Sequence, residues 1–231
     1  MKFQRENGFT LVEVMVGGAV GIVMVVAALT AYITLQKGLT FSLNWNSIRV
    51  SQQRVLDSMA VDLRNATSFS LPSGSTPVSV SGTDLACVIP MRYAASGGTP
   101  AFKTSGAFAG DPAVPITTGF SFDVKTGLES VTNTCTASYL RRPTGNNSEV
   151  EIVRQFQWTD STGSYTVSRQ VASFSNGVGF TYVLKSGSNS PVTMSNANSI
   201  ELTATANVFL SNRTASPVVT KDTVYLREKS L

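Results

Sequence analysis

Few side chains in this 231-residue chain have the type and spacing to do chemistry, and the first of them is Glu13. It lies within RENGFTLVEVMVGGAVGIVMVVAALTAYITL (residues 5–35), where the run from Phe9 to Leu35 carries no other charge. An ionisable group in such a run is costly and by default functional, so it demands a partner. The chain has no histidine. That removes Ser-His-Asp and Cys-His catalysis, histidine-ligated zinc and histidine pH switching. Cys87 and Cys135 both follow the apolar run, where an exported domain would meet an oxidising compartment; one disulfide is the natural expectation, with two core thiols as the alternative. DSTG (160–163) offers an acid in a turn-forming sequence, without the second copy that a catalytic carboxylate pair would need. LRRPTG (140–145) offers cations to phosphate but reads as a solvated loop after a strand. Asp84, Asp111, Asp123 and Glu129 are scattered without calcium-ligand spacing. No metal, no cofactor and no catalytic residue are assigned, and the chain is not read as an enzyme.

The elements that must position these residues begin with the apolar run. It is too long for the apolar core of a secretory signal, and no A-x-A site closes it. As a helix from Phe9 to Leu35 it would reach about 40 Å, enough to cross roughly 30 Å of hydrocarbon. Lys2 and Arg5 would hold the short N-terminus in the cytoplasm, leaving everything beyond Leu35 outside. No proline occurs before Pro72. Trp45, Ile48, Leu56, Met59, Leu63 and Ala66 recur at helical spacings, with Arg49, Arg54, Asp57, Asp62 and Arg64 on the other face, so residues 36–70 read as an amphipathic continuation. The alternative is two helices broken near Lys37 and Gly38.

After LPSGSTP (71–77) the chain, residues 71–231, reads as β structure. Residues 200–210 alternate most cleanly; 150–158 and 164–171 flank TDSTG as a hairpin with a five-residue loop, and 178–184 alternates as well. Residues 85–91, 120–124, 137–141 and 223–227 are further strands. With no helical pattern between them the sheet is antiparallel. Residues 93–119, rich in Gly, Pro, Ala and Thr, read as a long surface loop. The fold class is therefore α+β, a long N-terminal helix packed on a C-terminal antiparallel β domain. Charged residues make up only 14% of the chain and the net charge is +4, which suits an extracellular β-rich surface and gives no strong reason to expect nucleic acid.

GFTLVEVM (8–15), behind a short basic leader and with Glu13 fifth after Gly8, closely resembles the processing motif of type IV prepilins and type II secretion pseudopilins. The resemblance implies that residues 1–8 are a leader, that a prepilin peptidase cuts between Gly8 and Phe9, and that the new amine of Phe9 is N-methylated. It also implies a partner for Glu13: the N-terminal amine of an adjacent subunit, so that two buried charges offset each other. QQRVLDSMAVDLRNA (52–66), SNGVGFTYV (175–183) and DTVYLREKS (222–230) resemble the minor pilin and pseudopilin group that includes PilW and GspJ. Many major pilins carry a proline in the anchor helix, which this sequence lacks. Gly17, Gly18 and Gly21 can loosen the helix there, or Gly17 and Gly21 can form a small-residue packing face.

The leading function is then a minor type IV pilin that helps to initiate or cap a pilus; the alternatives are a GspJ-type pseudopilin, or a fibre-displayed adhesin or DNA-binding subunit. Its partners would be other pilin subunits through the N-terminal helix, the prepilin peptidase and the inner membrane. Before assembly it would be a single-pass inner-membrane protein with a periplasmic domain. Afterwards it would sit in a pilus or pseudopilus.

Overall fold

A computed structural model of the chain describes residues 10–71, 82–91, 98, 100–105, 109–113, 121–123, 128–130, 134–144, 149–175, 177–185, 197–209 and 215–226. It divides into two compact units, Met1–Asn44 and Trp45–Leu231. One helix, α1 (Leu11–Asn65), runs without interruption past Lys37 and Gly38. Its N-terminus is capped: the Thr10 hydroxyl accepts from Glu13 N at 3.3 Å, and Glu13 Oε2 accepts from Thr10 N at 2.9 Å. This is the reciprocal capping box of a T-x-x-E sequence, satisfying two otherwise orphaned donors. At the other end Asn65 Nδ2 donates to Val61 O at 2.9 Å, and Arg64 stands in the last turn, where the helix dipole favours a cation.

In the first unit every described side chain from Thr10 to Thr40 is exposed. This segment contains an apolar stretch long enough to cross a membrane. Its polar hydroxyls are turned inward onto the helix: Thr30 donates to Val26 O and Thr34 to Thr30 O, both at 2.8 Å. Such back-bonding satisfies these two threonine hydroxyls within the helix, as an apolar surrounding requires.

The second unit is antiparallel throughout. β1 (Ser68–Ser70), β2 (Gly82–Pro90), β5 (Thr134–Pro143), β6 (Val150–Asp160) and β7 (Gly163–Phe174) form a five-stranded sheet in the order β1-β2-β5-β6-β7. β10 (Ala215–Tyr225), β9 (Ser199–Phe209) and β8 (Val178–Lys185) form a three-stranded one in the order β10-β9-β8, and β3 (Ser121–Asp123) with β4 (Leu128–Ser130) makes a short ribbon. The α+β architecture is as the sequence implies. The differences are β1 and β4, which the sequence did not mark, and the longer reach of β2, β5, β7 and above all β10, which begins eight residues before the expected strand at Thr223. The β6–β7 turn is also tighter than five residues: strands run to Asp160 and resume at Gly163, whose φ of 148° suits a residue without a side chain.

The core forms where residues 55–63 of α1 meet both sheets. Val55, Leu56, Met59, Ala60 and Leu63 are buried against Leu85, Tyr139, Ile152 and Phe174 of the larger sheet and Phe180, Ile200, Leu202 and Val224 of the smaller. Truncating Leu56 or Met59 to alanine would cost about 2–5 kcal/mol, the usual range for such core deletions. A second cluster gathers Phe102, Phe156, Trp158 and Val167. Here the structure departs from the surface loop read for residues 93–119: Ala101 and Phe102 are buried, and the Phe102 ring meets those of Phe156 and Trp158 edge-on at 4.9 and 5.2 Å.

Candidate functional site

Gly8 and Phe9 lie outside the described residues. Glu13 is described, on the exposed apolar half of α1. Its Oε2 takes both Thr10 donors, N and Oγ1, each at 2.9 Å, whereas Oε1 has no hydrogen bond among the described residues. The acid therefore has one partner inside its own chain and one oxygen left over.

The polar groups that the second unit buries do structural work. Gln52, fully buried on α1, donates through Nε2 to Ala204 O at 3.2 Å and Val218 O at 2.9 Å, and its Oε1 accepts from Thr220 Oγ1 at 2.8 Å. One amide thus ties the helix to β9 and β10. Asp62, read from the sequence as part of the solvated face, is instead 4% exposed. Arg154 donates to both of its oxygens, at 2.8 and 2.9 Å, and the Tyr139 hydroxyl donates to Oδ2 at 2.7 Å. Burial and the Asp62 charge push the Tyr139 phenol well above its ordinary value. Burial opposes the Arg154 charge, but the bonds to Asp62 more than offset it and raise its pKa.

Two other sequence readings change. Arg141 of LRRPTG is not in a solvated loop: β5 extends through Pro143, and Arg141, 5% exposed, donates to Asp84 through Nε at 3.3 Å and a terminal nitrogen at 2.7 Å. Asp84 is the extra residue of a β-bulge, since Thr83 pairs with Leu140 and Leu85 with Tyr139. Burial outweighs the Arg141 charge and raises the Asp84 pKa. The nearby Tyr182 hydroxyl is buried and has no hydrogen-bond partner among the described residues.

The expected disulfide is not formed. Cys87 and Cys135 are buried thiols on neighbouring strands, but Cys87 stands opposite Ala137 and Cys135 opposite Ile89. They are diagonal neighbours, a relation with a spacing of about 7–8 Å, beyond the usual reach of a disulfide. Cys135 Sγ donates instead to Ile89 O at 3.4 Å, and burial pushes its pKa up to about 12.

Asp160 of DSTG is a turn residue. It accepts from Ala101 N and Trp158 Nε1, both at 3.0 Å, and from Thr162 N at 2.8 Å. Partial burial raises its pKa, but these donors together hold it below the usual carboxylate range. Asp111 is partly exposed, and its backbone oxygen accepts from Lys103 N. In the β3–β4 ribbon Asp123 stands opposite Leu128 and Glu129 opposite Phe122, so the two acids are not paired with each other. Among the described residues no three of His, Cys, Asp or Glu come together as metal ligands would.

The arrangement defines an α+β protein with an apolar helix of membrane-crossing length and a β domain whose buried polar groups serve packing. Compared with family models, curated proteins and solved structures, the chain gives no significant match.

Proposed function

We propose that this chain is a minor type IV pilin, a structural subunit that helps to initiate or cap a pilus after a prepilin peptidase cuts between Gly8 and Phe9. The observation that carries the reading is the exposed apolar half of α1, in which Glu13 is the sole charge between Thr10 and Leu35. A helix apolar all round needs lipid or other helices against it. Before assembly the inner membrane supplies that surrounding, with the β domain in the periplasm; in the fibre, the helices of neighbouring subunits supply it. The spare Oε1 of Glu13 supports the same reading, because it leaves an acceptor for the N-terminal amine of an adjacent subunit while Oε2 caps the helix.

Processing tests this directly. In cells containing the peptidase, intact-mass measurement should find a chain that begins at Phe9 and carries one added methyl group, and Gly8→Val should retain residues 1–8. A wild-type chain that still begins at Met1 in such cells contradicts the proposal.

A further inference from the structure

One surface of the second unit carries charge that the fold does not use. A cleft of about 550 Å³ opens between α1 and β7, lined by Arg54, Asp57, Val61 and Asp62 on the helix side and Arg154 and Arg169 on the sheet side. The register places Arg154 directly opposite Arg169. Like charges in directly opposed positions destabilise a sheet. A bulge imposes this pairing: Ile152 pairs with Ala172 and Val153 with Gln170, leaving Val171 extra and setting the register of the residues that precede it. Bulges re-aim side chains in this way.

Only one of the two opposed cations is compensated. Arg154 is held bidentately by Asp62 and lies 5.0 Å over the Phe156 ring. Arg169 and Arg54 are exposed, and neither side chain has a hydrogen bond or ion pair among the described residues. Asp57, the remaining acid, accepts from Gln53 Nε2 at 2.8 Å. Val61, 52% exposed, adds an apolar surface to the lining of the same cleft. Guanidinium groups suit carboxylates because both are planar and can share two parallel hydrogen bonds.

We infer that this cleft is a docking site for an acidic segment of a partner protein, whose carboxylates bind Arg54 and Arg169 while an aliphatic side chain covers Val61. Charge complementarity selects that occupant, and the inference does not depend on the pilin reading.

The test uses the full chain in non-ionic detergent and, as probe, a fluorescein-labelled peptide in which pairs of glutamates flank a valine, read by fluorescence anisotropy. Binding should weaken about tenfold or more in Arg54→Glu/Arg169→Glu, since reversing both charges replaces attraction with repulsion. Arg142→Glu, a reversal at an exposed arginine outside the cleft, should leave it unchanged, and a lysine version of the peptide should not bind. Melting is checked alongside: the double reversal should melt no lower than the wild type, because it sets an acid opposite Arg154, whereas Arg142→Glu, which sets two acids opposite each other at Glu151, should melt slightly lower and still bind. Absence of binding overturns the inference, as does equal weakening by Arg142→Glu. Equal affinity for inorganic phosphate makes the cleft a small-anion site and also overturns it, as does self-association of the chain abolished by the double reversal, which would make a second copy the occupant.

Discussion

Replacing Arg154 by methionine should be one of the most damaging single changes in the β domain. Methionine keeps an unbranched apolar stem of about the length of arginine's aliphatic part and removes the charged guanidinium. Asp62 would then remain with its side chain 6% exposed and only the Tyr139 hydroxyl to bond it. The acid also lies near the C-terminus of α1, where the helix dipole disfavours it. Breaking a buried pair from one side typically costs 3–5 kcal/mol, and loss of the contact over Phe156 adds about 0.5–1 kcal/mol. A total of about 4 kcal/mol corresponds to a fall in Tm of about 8–16 °C for a domain of this size. The assay is urea unfolding of the full chain in non-ionic detergent, followed by tryptophan fluorescence, because Trp158 is buried in the second cluster. Asp62→Leu/Arg154→Met should cost less than its two single changes added together, by about 1–3 kcal/mol. A cost of Arg154→Met below about 1 kcal/mol, the range of an exposed ion pair, or strict additivity in the double variant, refutes the argument.

Gln52→Leu should destabilise by about 2 kcal/mol, because it takes the partner from the buried Thr220 hydroxyl and removes the bonds to the Ala204 and Val218 carbonyls, and Thr220→Val in that background should recover part of the loss in the same urea assay. Cys135 sets an alkaline limit. Its ordinary value of 9.0 applies to the unfolded chain and about 12 to the folded one, so its stabilising share is complete below pH 9 and is lost as pH rises toward 12. The loss is about 1.4 kcal/mol per pH unit in that window, and Cys135→Val should flatten Tm against pH there by that amount. Intact mass under non-reducing conditions should show no loss of two hydrogens, and thiol reagents should label Cys135 only after unfolding.

The parts of this fold that are legible in the sequence are those written locally. A proline-free apolar run followed by Leu56, Met59 and Leu63 at helical spacing gives α1, and the alternation of Ile200, Leu202, Ala204 and Ala206 gives β9. β10 is obscured because Pro217, Lys221 and Asp222 break its pattern; pairing with β9 along its whole length makes it a strand. Asp62 looks like a solvated acid until Tyr139 and Arg154, 77 and 92 residues away, are brought to it. The same limit applies to the cysteines, because composition argues for a bridge while register decides the distance. The capping pattern from Thr10 to Glu13 is local and readable, and it gives Glu13 a second role that its apolar setting hides.

That second role shapes the measurement that tests the pilin reading most directly. Glu13→Gln keeps the reach and an acceptor at the third helical position, where glutamine also completes a capping box, and it removes only the charge. If capping were the whole purpose of Glu13, the variant would behave as wild type. If the charge answers the amine of a neighbouring subunit, Glu13→Gln should insert, be cut between Gly8 and Phe9 and fold its β domain. Its ratio of fibre-associated to membrane-bound protein should nevertheless fall about tenfold or more, because the neighbour's ammonium is left without a counter-charge in an apolar surrounding. Wild-type incorporation of the cleaved Glu13→Gln chain would contradict the account and leave Glu13 as a helix cap.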